Sequence, residues 1–69
     1  MNNHAWEGFV KLFKSVGITI SVDDYGSSIY WIVVNDLEVQ CFGSLEEARN
    51  EVVIVAAQFY NMKYGQEKV

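Results

Sequence analysis

The stretch that decides the fold is Ser28-Ile-Tyr-Trp-Ile-Val-Val-Asn-Asp-Leu-Glu-Val-Gln-Cys-Phe42. Two runs of β-branched and aromatic residues flank Asn35-Asp36, and this order is typical of a β-hairpin with a two-residue turn. Both turn residues tolerate the left-handed backbone conformation that a type I′ turn requires. We therefore predict two antiparallel strands in which Val34 pairs with Leu37, Ile32 with Val39, and Tyr30 with Cys41.

This pairing divides the side chains of the hairpin between two faces. One face is uniformly apolar and is predicted to cover the core: Tyr30, Ile32, Val34, Leu37, Val39 and Cys41. The other face is mixed: Ile29, Trp31, Val33, Glu38, Gln40 and Phe42. The first strand of the hairpin is apolar on both faces, which is typical of a central strand. It is therefore predicted to lie in the middle of the sheet.

A helix is predicted over residues 1–17. Its apolar residues recur at the i, i+3, i+4, i+7 spacing of one helix face. They are Trp6, Phe9, Val10 and Phe13, and Leu12 and Val16 widen the stripe. Asn2 or Asn3 can cap the start of this helix, and Gly17 suits the position just beyond its end.

Residues 18–23 alternate strictly between apolar and polar side chains. Ile18, Ile20 and Val22 share one face, and this pattern of β-branched residues predicts a half-buried strand. Residues 24–27 then carry turn chemistry, because the glycine at position 26 is free to adopt a positive φ.

A second helix is predicted from Leu45 to about Tyr64. Ser44 and Glu47 form the capping-box pattern that starts a helix. The run of β-branched residues at 52–55 would also suit a strand, but the cap and the i, i+4 pattern favour a helix. One arc is predicted to pack on the sheet: Leu45, Ala48, Val52, Val55, Ala56, Phe59 and Met62. A second arc consists of Val53, Ala57, Tyr60 and Tyr64.

Together these elements predict an α+β fold of the order α-β-β-β-α. The sheet is a three-stranded antiparallel meander, and both helices pack on its Tyr30/Ile32/Val34 face. The chain of 69 residues is predicted to form one small domain, in which residues 65–69 are a frayed tail.

The charge pattern disfavours some partners and favours others. The net charge is −4, and residues 18–51 hold seven acidic residues and one basic residue. Direct binding to nucleic acid needs clustered Lys and Arg, so it is not expected. An acidic surface suits a basic protein partner, although the same acids also serve as caps, turn residues and solubilising charge. The sequence carries no secretory signal or membrane-length apolar run, so we expect a cytoplasmic protein.

Residues that could carry chemistry are few, and local structure explains them. Cys41 is the only cysteine and His4 is the only histidine, so neither a disulfide nor a four-ligand zinc site is expected. Cys41 is predicted to face the core as a small hydrophobic residue. The paired acids Asp23-Asp24 and Glu46-Glu47 suit a turn and a helix start. We therefore expect a protein that is not an enzyme and binds no cofactor.

Two surfaces remain as candidates for binding. The mixed face of the hairpin, which comprises Ile29, Trp31, Val33, Glu38, Gln40 and Phe42, is a predicted partner-binding site if both helices lie on the opposite face. The alternative is that one helix covers it. The arc Val53, Ala57, Tyr60 and Tyr64 is a predicted self-association seam of a homodimer, and its alternative is a contact with the first helix.

The order strand, tight turn, strand, followed by Phe42-Gly-Ser-Leu-Glu-Glu-Ala48, resembles a module of the HicB-like antitoxins. The Pro-Gly element and the DNA-binding extension of that family are missing here. The short, acidic chain without catalytic motifs is also similar to small phage-encoded proteins that inhibit host machinery, including anti-CRISPR proteins. The second resemblance implies an inhibitor that occludes the surface of a larger protein. The first implies a domain that neutralises a partner protein.

Overall fold

A computed structural model describes residues 1–65, and within them it contains two helices and three strands. The elements are α1 (Asn3–Ser15), β1 (Ile20–Asp24), β2 (Tyr30–Val34), β3 (Leu37–Phe42) and α2 (Leu45–Tyr64). The strands form one antiparallel sheet in the order β1-β2-β3. The predicted fold class, element order and central position of β2 are therefore confirmed. Most of the predicted tail, residues 66–69, lies outside the described residues.

The turn between β2 and β3 has the predicted geometry. Asn35 and Asp36 have φ angles of 53° and 70°, which are the positive values that a type I′ turn requires. Asn35 also fixes the neighbouring strand. Its backbone N–H donates to the Thr19 carbonyl at 2.9 Å, and the Thr19 N–H donates to the Asn35 side-chain oxygen at 2.9 Å. The turn is therefore tied to the residue that precedes β1.

The pairing of β2 with β3 follows the prediction only next to the turn. Val34 pairs with Leu37 and Val33 with Glu38, but Ile32 pairs with Gln40 rather than with Val39. A β-bulge at Val39 adds one unpaired residue to β3. A shift of one residue exchanges the two faces of a strand. The predicted pairs Ile32–Val39 and Tyr30–Cys41 are therefore wrong.

The bulge moves Gln40, Cys41 and Phe42 to the opposite faces from those predicted, and Gln40 now pairs with Ile32 on the core side. Phe42 pairs with Tyr30 on the core side and packs against the core, whereas Cys41 pairs with Trp31 and is exposed. The prediction that Cys41 faces the core is thus wrong, and so is the placement of Phe42 on the mixed face. Leu37 lies opposite a buried residue but remains exposed, because β3 extends beyond the part of the sheet that α2 covers best.

Helix α1 ends in a motif that also explains why β1 starts two residues later than predicted. Gly17 has a φ of 83°, and its N–H donates to the Lys14 carbonyl at 3.0 Å. The N–H of Ile18 donates to the Phe13 carbonyl at 2.9 Å, and both side chains are buried together. These bonds form a Schellman motif. Ile18 is therefore part of the helix cap rather than of the strand.

The core lies between the sheet and both helices, on one side of the sheet. Its buried residues come from all layers: Phe13, Ile18, Ile20, Ile32, Val34, Ala48, Val52 and Ala56. The helices are joined by Arg49, whose guanidinium donates to the Asn3 side chain at 2.9 Å and lies 5.1 Å from the Trp6 ring centroid. Ser44 caps α2 as predicted, because its hydroxyl accepts from the Glu47 N–H at 3.1 Å.

Candidate protein-binding face

The side of the sheet that faces away from the core carries two rows of side chains, which we call the outer face. Asp23, Trp31 and Cys41 lie opposite one another in one row. Ser21, Val33 and Glu38 form the other row. Both helices contribute to the core on the opposite side, so within residues 1–65 no helix covers this face. The alternative in which a helix packs on Trp31 is therefore excluded for the described residues.

The predicted partner-binding residues fall into three groups. Trp31, Val33 and Glu38 lie on the outer face, and the first two are half-buried by their neighbours. Ile29 is exposed at the entry to β2. Gln40 and Phe42 are not on this face, because the bulge at Val39 places them opposite Ile32 and Tyr30 on the core side. The candidate face is therefore narrower than the sequence predicted.

Tyr25 is an outer-face residue that the sequence did not identify. Its hydroxyl donates a hydrogen bond to the Glu38 carboxylate, although Tyr25 follows β1 and Glu38 lies on β3. Because β2 is the strand between them, this bond crosses the outer side of β2. The hydrogen bond to the Glu38 carboxylate raises the pKa of Tyr25 above its ordinary value of 10.0, and desolvation and the charges of Glu38 and Asp23 add to the effect. Only the sheet pairing brings these groups together, so no sequence spacing could have indicated them.

The loop that holds Tyr25 is built from residues with unusual backbone conformations. Gly26, Ser27 and Ser28 have positive φ angles of 83°, 54° and 60°. The Gly26 N–H donates to the Asp24 carboxylate at 2.9 Å, and the Tyr25 N–H donates to the Ile29 carbonyl at 2.9 Å. The loop is thereby closed by its own hydrogen bonds. It presents Tyr25 at the edge of the outer face.

Charge is distributed unevenly between the two layers. Residues 18–43, which form the sheet and its turns, contain four acidic residues and no Lys or Arg. Residues 2–17 and 44–65, which form the helices, contain four acidic and four basic residues. The whole net charge of the described chain therefore belongs to the sheet layer. Asp23 and Glu38 place part of it directly beside Trp31 and Val33.

The arc predicted as a self-association seam faces α1 for much of its length. Val53 packs against the core, and Tyr60 lines a groove with Leu12, Phe13 and Val16. The Tyr64 hydroxyl donates to the Val16 carbonyl at 3.2 Å, and its ring lies 4.8 Å from that of Tyr60. Ala57 is exposed. The intramolecular contact with α1 thus accounts for most of this arc, and a role in self-association stays a prediction.

Other features of the described residues offer no additional chemistry. Among residues 1–65, no three His, Cys, Asp or Glu side chains are close enough to hold a metal ion. His4 is exposed on α1, far from Cys41 in the sequence and on the other side of the sheet from the outer face. Neither described helix has the length and apolar character needed to cross a membrane.

Comparison with known proteins gave no match to a protein family, to a curated protein or to a solved structure. The geometry of the outer face is therefore the basis for a functional proposal. Its features are a central tryptophan, two flanking carboxylates and the absence of a covering helix within residues 1–65.

Proposed function

We propose that this chain is a non-enzymatic protein-binding module, and that its outer face docks on a basic surface of a larger protein. The observation that carries the proposal is the position of Trp31, between Asp23 and Cys41 on a sheet face that no described helix covers. Tryptophan is enriched among the residues that dominate binding energy. An uncovered apolar patch with a polar rim is typical of an interaction site.

The different surroundings of the two tryptophans support a basic partner. Trp6 lies on the helix side and is covered by the Arg49 guanidinium at 5.1 Å. Trp31 lies on the sheet side, where residues 18–43 supply no Lys or Arg. A cation from another protein would satisfy both the ring face of Trp31 and the neighbouring carboxylates of Asp23 and Glu38. The module would act by occluding the partner's surface, as a phage-type inhibitor of a host protein does.

Replacement of Trp31 tests this proposal. The wild-type protein and the Trp31→Ala variant would each be immobilised and exposed to a lysate of the source cell, and the affinity for the captured protein would then be measured. We expect Trp31→Ala to weaken binding by roughly 30-fold, which corresponds to about 2 kcal/mol. Circular dichroism should show an unchanged fold, because the Trp31 side chain points away from the core.

Ile54→Ala is the control, since Ile54 is an exposed apolar residue on α2, away from the outer face. This variant should bind like the wild type. A charge-neutralising variant with Asp23→Asn and Glu38→Gln should lower the association rate and its dependence on salt. If Trp31→Ala and Ile54→Ala have the same affinity as the wild type, the outer face is not the binding site.

A further inference from the structure

Strand β3 is an open edge of the sheet. It pairs with β2 on one side only, and its residues 37–41 are all exposed. The opposite edge differs, because Trp6 and Val10 of α1 line a groove with residues 20–22 of β1. Edge strands are usually protected from pairing by Pro, by charged residues such as Lys, by a β-bulge or by a covering segment. β3 contains neither Pro nor Lys, and within residues 1–65 no segment lies along its free edge, so Glu38 and the bulge at Val39 are its only features of this kind.

We propose that β3 pairs in an antiparallel manner with β3 of a second copy of this chain, so that two sheets join into one of six strands. A free strand edge presents backbone N–H and C=O groups in a fixed row, and only another extended strand can satisfy them together. A second copy supplies such a strand with the same length and the same open edge. This interface runs along the free edge of β3, at the border of the outer face, and does not depend on the proposed function.

The alternation of side chains selects one register for this pairing. Leu37, Gln40 and Phe42 point to the core side of the sheet, whereas Glu38 and Cys41 point to the outer side. Paired residues in a sheet point to the same side. The two-fold arrangement that uses all six residues therefore pairs Leu37 with Phe42 of the partner subunit and Glu38 with Cys41 of the partner subunit. A register displaced by one residue would pair Glu38 with a core-side residue.

The same register also keeps the two Glu38 carboxylates apart and fixes where the two bulges lie. Glu38 lies opposite Cys41 of the partner subunit, so the two Glu38 carboxylates do not face each other, and like charges directly opposite would be destabilising. The bulged residue Val39 lies opposite Gln40 of the partner subunit. The two bulges therefore meet at the centre of the interface.

The free edge of β3 also carries exposed apolar surface. The exposed apolar residues Leu37 and Val39 lie along this edge, and their burial would add hydrophobic stabilisation to the backbone hydrogen bonds.

Sedimentation equilibrium of the full chain tests the proposal. We expect the wild type to dimerise reversibly, and we expect Val39→Lys to weaken the dimer at least tenfold, because it places two ammonium groups at the centre of the seam. Val39 has no partner in β2 and its side chain is 41% exposed, so the monomer should tolerate lysine. Ile54→Lys is the control and should leave dimerisation unchanged. A wild type that remains a 7.9 kDa monomer at about 1 mM would overturn the proposal.

A disulfide trap tests the register independently. In the Glu38→Cys variant the introduced thiol lies opposite Cys41 of the partner subunit, within the distance that a disulfide can bridge. The two thiols within one copy are three residues apart along a strand, which is too far to bridge. Mild oxidation should therefore give a covalent dimer. Asp23→Cys is the control, because β1 lies at the other edge of the sheet. Equal cross-linking of both variants, or of neither, would overturn the register.

Discussion

The apolar residues of the two hairpin strands have very different surroundings. Ile32 and Val34 of β2 are 0% exposed, whereas Leu37 and Val39 of β3 are 62% and 41% exposed. The cause is the position of α2, whose buried residues pack over β1 and β2 and leave β3 at the open edge. Burial in this sheet is thus set by distance from the helix rather than by the apolar character of the strand. We therefore expect β2 to contribute most to the stability of the fold and β3 to present exposed side chains for binding.

The difference between the strands should be largest for substitutions in the core. Ile32→Ala removes a fully buried side chain from the middle of the sheet and should lower the free energy of unfolding by about 3–4 kcal/mol. Leu37→Ala removes a side chain of the same size from β3 and should cost about 0.5 kcal/mol or less. Urea unfolding of both variants measures the contrast. Equal losses at dilute protein concentration would show that β3 is covered in solution.

The turn that joins the strands should give the next largest effect. Asn35→Ala loses a residue that tolerates a positive φ and loses the hydrogen bond from the Thr19 N–H, so it should cost about 2 kcal/mol. Asp36→Gly is the matched substitution, because Asp36 also has a positive φ but makes no such bond to Thr19. Glycine there should stabilise the hairpin by up to about 1 kcal/mol. The ranking would be contradicted if both variants shifted thermal unfolding in the same direction.

The parts of the fold that local chemistry determines could be predicted from the sequence. Asn35-Asp36 forms the predicted turn, Ser44 forms the predicted cap, and α2 has the predicted bounds. In each case the decisive hydrogen bond or φ angle involves residues within four positions of each other. The position of the outer face followed from the same reasoning, because a β2 strand apolar on both sides must be central.

The parts that depend on distant contacts could not be predicted. Val39 is a β-branched residue that favours regular strands, so nothing in its own chemistry marks it as a bulge. The packing of Phe42 against the core decides the shift instead, and that packing requires α2 to be in place. Ile18 fits a strand pattern as well as a helix cap, and only its bond to Phe13 distinguishes the two. The Tyr25–Glu38 contact likewise spans three strands.

The smallest expected effect on stability concerns the hydrogen bond that joins Tyr25 to Glu38 of β3 on the outer face. Tyr25 is the donor to Glu38, and its pKa is raised in the folded state. A raised folded-state pKa means that this bond stabilises the fold below pH 10.0 and that the stabilisation is lost as pH rises through the higher folded value. In a spectrophotometric titration of the wild type, the Tyr25 phenol should therefore ionise above pH 10.0. This component should be missing from the titration of Tyr25→Phe. Glu38→Gln should move that ionisation back toward the usual value, because it removes the carboxylate acceptor. Tyr60→Phe is the control and should leave the high-pH component in place. If Glu38→Gln had no effect on the titration, the Tyr25–Glu38 hydrogen bond would not form in solution. Only the backbone pairing with β2 would then hold β3 in place.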